Sequence, residues 1–131
     1  MYATISHWTS TISRDSEAGK VNQKTAQEKY APAVIAFGAL HVYFIATSET
    51  TFDVVAIYPD EATAKAATEK QNAMRASVSQ EMPISLTGHS SGEVYASAWF
   101  KSQQIFIRWS PLRGFLFAYT LTIDLKFTEH F

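Results

Sequence analysis

The chain has 131 residues, 47% of them hydrophobic and 18% charged, with a formal net charge of −1; this suits one domain with a modest core. Acidic and basic residues are interspersed, which argues against a phosphate-tracking surface, so no nucleic-acid partner is expected. With no cysteine there is no disulfide framework, thiolate metal site or cysteine nucleophile, which fits a cytoplasmic protein.

Tyr2 to Trp8 alternates as a strand does, with Ala3 and Ile5 on one face and Tyr2, Thr4, Ser6 and Trp8 on the other. Met1 runs straight into it, without the basic start and apolar stretch of a secretion signal. Ser13, Asp15 and Ser16 are all competent helix N-caps, and Asp15 and Glu17 suit the positive end of a helix dipole. The pattern predicts a helix over about 15–37, kinked or broken at Pro32, with Gly38 as its left-handed stop.

LHVYFIATSETTFDVVAIYP, residues 40–59, reads as a hairpin. A three-residue loop, Ser48 to Thr50, sets Phe44 opposite Val54 and Val42 opposite Ala56; a two-residue loop would set Phe44 opposite Asp53. Face parity favours the first, because a one-residue slip turns every side chain to the other face. One face then carries Leu40, Val42, Phe44, Phe52, Val54 and Ala56, with Tyr58 at its edge. The other carries His41, Tyr43, Ile45, Asp53, Val55 and Ile57.

A second helix follows in PDEATAKAATEKQNAMRASV, capped by Asp60. Ala64, Ala67, Gln71, Met74 and Val78 form a stripe of mostly small residues that lets the helix lie close on a sheet. Lys65, Lys70 and Arg75 are expected on its solvated side. A fourth strand is predicted over about 82–87, then a turn in HSSG, with GEVYASA as a continuation or a short separate strand. Ser90 to Gly92 is a poor phosphate loop because no helix follows it.

The order strand, helix, strand, strand, helix, strand is the split βαβ, or ferredoxin-like, α+β pattern: an antiparallel sheet with both helices on one face. The second face then holds Tyr43, Ile45, Val55 and Ile57, an apolar patch of the kind that marks an interface. Burying four such side chains contributes roughly 1.5–3 kcal/mol each as an upper bound. A second copy of the sheet across a two-fold axis is the simplest cover, which predicts a homodimer.

YATISHW, EKYAPAVIAFGA, DVVAIYPDEATAKAA and GEVYASA in this order resemble the dimeric α+β barrel superfamily, which includes the antibiotic-biosynthesis-monooxygenase-like proteins. The resemblance covers about residues 1–98. It implies paired sheets and a cavity between each sheet and its helices or at the dimer centre. It also implies a range of functions, among them cofactor-free oxygenases, haem-linked enzymes and isomerases. No catalytic signature of any subgroup maps onto these residues, so the resemblance narrows shape and not function.

Candidate site residues are drawn from all four strands: Tyr2, Thr4, Ser6, Trp8, His41, Tyr43, Asp53, Ser85, Thr87 and His89. The less apolar face of the sheet is expected to collect them as a polar cluster fit for a small apolar or aromatic ligand. In an enzyme His41 would be the base, Asp53 would orient it, and Tyr43 would donate to a developing oxyanion. Tyr2, Ser6, Trp8, Ser85, Thr87 and His89 would line the ligand site. The plainer alternative makes all of them hydrogen-bonded interface residues. His7, His41 and His89 lack ligand spacing, and parity puts His7 on the helix side away from His41, so no metal site is predicted. No cofactor is called for. A cofactor-free oxygenase or isomerase for a small aromatic or polyketide-like substrate, a non-catalytic small-ligand binder, and a protein that only dimerises all remain open.

From Trp99 the composition changes, with nine of the eighteen aromatic residues in the last quarter of the chain. Phe115 to Phe127 alternates as a half-buried strand; Gln104 to Trp109 is its predicted partner and Ser110 to Gly114 the turn. This extension, residues 99–131, is expected to be a β-hairpin that packs on the module or extends the interface; otherwise it is an unpacked extension. Its longest apolar-leaning run is broken by Thr120, Thr122 and Asp124 and falls short of the roughly 18 apolar residues of a spanning helix, so no membrane partner is expected.

Overall fold

The structure, a computed structural model, describes residues 1–100, 106–111, 117–122 and 127–129. The chain divides into two compact units, Met1–Val94 and Tyr95–Phe131.

The first unit runs β1 (Tyr2–Ser10), α1 (Glu17–Thr25), a π-helical turn (Ala26–Tyr30), α2 (Ala31–Ala36), β2 (His41–Ala46), β3 (Thr51–Tyr58), α3 (Glu61–Glu81) and β4 (Ile84–Glu93). Its four strands form one antiparallel sheet in the order β2-β3-β1-β4. Each helical run therefore joins two strands that have a third between them, an α+β arrangement compatible with the ferredoxin-like fold.

Ser16 is the N-cap chosen from the three candidates: its hydroxyl accepts the Gly19 amide at 3.0 Å and donates to the Ser13 carbonyl at 2.7 Å. Glycine is required at 19 because a Cβ there would collide with the Ser13 and Arg14 carbonyl oxygens. The interruption expected at Pro32 takes the form of a wide turn and no residue leaves the helical run. The Ala31 amide donates five residues back, to Ala26, just before the point where the proline ring would press on the Glu28 carbonyl. After Phe37 the chain stops at Gly38, φ +110°. Gly38 donates to Ile35 and Ala39 to Val34, the paired bonds of a Schellman stop.

The hairpin has the expected register, with Phe44 opposite Val54 and Val42 opposite Ala56. Thr47 and Thr51 close the loop through backbone and hydroxyl bonds. Along β1, Tyr2, Thr4, Ser6 and Trp8 lie opposite Tyr58, Ala56, Val54 and Phe52. Directly opposed residues share a face, so these four stand on the helix side with Val42 and Phe44. The face expected to gather them with His41, Tyr43 and Asp53 instead carries Ala3, Ile5 and His7. Parity within one strand sorts residues into two sets; only the register with the neighbouring strand says which set meets which.

Val34, Ala39, Ala56, Tyr58, Ala64 and Ala67 form the core cluster, with Tyr2, Phe37, Val42 and Met74 packed against it. The stripe on α3 is as expected: Ala64, Ala67, Gln71 and Val78 are buried, and Met74 packs beside them. Tyr58 is fully buried rather than at an edge, and the amide nitrogen of buried Gln71 donates to its phenol oxygen. Tyr30 donates to Glu81 at 3.3 Å and ties the first helical run to the end of α3.

β4 continues through His89, Ser90 and Gly92, where a turn was expected. Its ladder with β1 is irregular at one place: Gly88 faces His7 and Leu86 faces Trp8, leaving Thr87 as the extra residue. The bulge absorbs the local mismatch that a turn would have resolved, and the Thr87 hydroxyl donates to the His7 carbonyl at 3.1 Å.

In the second unit β5 (Ala98–Phe100) pairs with β8 (Phe127–Glu129), and β6 (Phe106–Pro111) with β7 (Phe117–Thr122), both antiparallel. The expected turn and much of the expected alternation fall on residues outside those described. No helix among the described residues is long and apolar enough to cross a membrane.

Candidate functional site

A cavity of about 620 Å3 lies between the helices and the sheet. Its existence follows from composition. Near Tyr58 the alanines of α3 bring that helix down on the sheet. Toward the β2–β3 loop, α1 presents Gly19, Asn22 and Gln23 to the cavity and the π-helical turn presents Ala26, while Val21 points outward, 63% exposed. Small and amide side chains cannot fill the space over Phe44, Phe52 and Val54.

One wall is aromatic: Trp8 and Phe52, opposite each other on β1 and β3, have parallel rings with centroids 6.1 Å apart. The buried Trp8 indole donates to Ser6 Oγ at 2.9 Å, so the wall contains no unpaired polar group. Val34, Val42, Val54, Met74 and Val78 complete the apolar lining.

Beside Met74 and Val78, α3 contributes two polar residues to the cavity, Gln71 and Arg75. Thr4 and Gln71 both hydrogen-bond the Tyr58 phenol, and burial pushes its pKa up despite these bonds and the nearby charge of Arg75. Arg75 lines the cavity. Its Nη1 donates to Asn72 Oδ1 at 3.1 Å and its Nη2 to Gln71 Oε1 at 3.4 Å. Burial pushes the Arg75 pKa down. Six ion pairs occur among the described residues and Arg75 takes part in none of them. The expectation of a solvated Arg75 is therefore corrected, while Lys65 and Lys70 are exposed as expected. Gln71, a polar member of an otherwise apolar stripe, was the signal that one polar group faced inward.

The second sheet face holds a different set. His7 and Asp53 are opposite each other on β1 and β3, with Nδ1 and Oδ1 2.7 Å apart. The parity argument that put His7 on the helix side is thereby overturned. Asp53 cannot orient His41: it lies four residues along β3 from Ile57, the partner of His41, which is roughly 13 Å at the usual strand rise. His41 instead stacks on Tyr43, centroids 6.3 Å apart.

The residues expected to form one site are thus divided by the sheet. Tyr2, Thr4, Ser6, Trp8 and His89 stand on the helix side, where Tyr2 reaches Ser91 at 3.3 Å. His41, Tyr43, Asp53 and Ser85 stand on the other, and Thr87 sits in the bulge. Among the described residues no group of three acidic or imidazole side chains could hold a metal ion. No protein-family model matches the chain, and no curated protein matches it.

Proposed function

We propose that the protein binds a small, largely apolar ligand in the cavity between its sheet and its helices. The observation that carries this reading is the cavity itself: an aromatic and aliphatic lining with a few convergent polar groups, the usual composition of a small-molecule site. Its volume, about 620 Å3, lies within the range typical of such sites. Native mass spectrometry of the purified protein tests the reading, because it reports subunit number and retained small molecules together. A protein that carries no ligand and takes up none from a panel of small aromatic and aliphatic compounds would refute it.

The reading includes a homodimer on the plan of the dimeric α+β barrels. It is supported by the strand order and by the second sheet face, where Tyr43 and Ile45 are 53% and 46% exposed. Sedimentation at micromolar concentration showing only a 14.6 kDa species would remove it. A cofactor-free oxygenase or isomerase, acting on a small aromatic or polyketide-like substrate, is the second reading. Ionisable residues that line the cavity, Tyr30 and Arg75 among them, favour it over pure binding. A retained compound whose mass changes during incubation with the protein would establish it.

A further inference from the structure

We infer that the cavity ligand is an amphipathic acid whose carboxylate pairs with Arg75. The inference rests on the cavity-binding reading above and names its ligand class. Arginine keeps its proton at any physiological pH, so Arg75 brings a fixed positive charge to a lining that also includes Arg14 and Glu49. A guanidinium has five N–H donors, and two of them are occupied here, by the neutral amide oxygens of Asn72 and Gln71. Those contacts come from its own helix, three and four residues back, and they hold the group in place without neutralising it.

Gln71 has a further part. Its amide nitrogen is committed to Tyr58, which leaves its oxygen toward Arg75. The chain Thr4–Tyr58–Gln71–Arg75 thus runs from β1 across the core to the cavity and fixes where the guanidinium sits. A charge withdrawn from water is costly unless paired. A planar carboxylate is the group that an arginine fork receives best, through two parallel hydrogen bonds. The rest of the ligand must be apolar, because the opposite wall is Trp8, Phe52 and Val54.

Calorimetric titration with octanoate and 1-octanol tests the inference, since the two probes share a chain and differ at the head group. The native protein should bind octanoate more tightly than octanol by roughly 10- to 100-fold, the scale of a hydrogen bond to a charged group. Arg75→Gln should lower octanoate to the level of octanol and leave octanol unchanged, while Arg75→Lys should keep part of the preference. Equal binding of the two probes by the native protein, or an equal loss of both in Arg75→Gln, would overturn the carboxylate assignment and leave the binding reading standing. Binding of neither probe would overturn both. The comparison on the native protein decides the matter even if the variants fold poorly.

Discussion

Arg75 and Tyr58 show how much one position depends on its neighbours. Both residue types are common on surfaces, yet Tyr58 is fully buried and Arg75 lines a cavity. Tyr58 tolerates burial because Thr4 and Gln71 bond its oxygen. Tyr58→Phe would remove that oxygen and leave the buried Gln71 amide without its partner. The expected cost is about 1–3 kcal/mol, the usual penalty for a stranded buried donor. Urea titration of both proteins checks it; an unchanged midpoint would mean that the network adds nothing to stability.

At the scale of elements, the helix ends were settled by local chemistry. Asp60 is the N-cap of α3 and its carboxylate accepts the Thr63 amide at 2.7 Å. That backbone hydrogen bond lowers its pKa below the ordinary aspartate value. A carboxyl whose folded pKa is depressed contributes stability above its unfolded pKa and loses it as pH falls through the folded value. The contribution of Asp60 should therefore be present at neutral pH and disappear below about pH 4. Asp60→Asn keeps a capping oxygen without a titrating proton. The difference in melting temperature between the two proteins should shrink between about pH 5 and pH 3, and a constant difference would exclude the cap as its source. The π-helical turn before Pro32 is likewise local in cause, but its form was not legible. The proline rules out a regular helix without saying whether the chain kinks, breaks or widens.

For the molecule as a whole, two predictions concern what holds it together. The unit Met1–Val94 contains the whole four-stranded sheet and the core cluster. A chain ending at Val94 should melt cooperatively, as expected of a sheet backed by packed helices. A non-cooperative melt would place the boundary elsewhere. Ile45→Lys tests the proposed dimer. Ile45 is 46% exposed in one subunit, so the change should alter the stability of that subunit by less than about 0.5 kcal/mol. Across a two-fold interface it would bury two unpaired charges, and sedimentation should show the dimer lost. An unaffected dimer would mean that the subunits associate through another surface.

The sequence by itself determined what is local or periodic. The hairpin register around Phe44 and Val54, the α3 stripe, the Asp60 cap and the Gly38 stop all follow from a few adjacent residues and their spacing. The candidate site was legible in its residue types and not in its grouping. Alternation showed that Ser6 and Trp8 share a face, and that His41, Tyr43 and Asp53 do. It could not show that the sheet separates the two sets, because that depends on the pairing of β1 with β3, more than forty residues apart in the chain. Given that pairing, Trp8 meets Phe52, His7 meets Asp53, and Asp53 is removed from His41. The inward position of Arg75 and the cavity beside it were decided at the same level. Space left unfilled between layers is a property of packing, set by how α1, α3 and the sheet meet, and no short stretch of the chain encodes it.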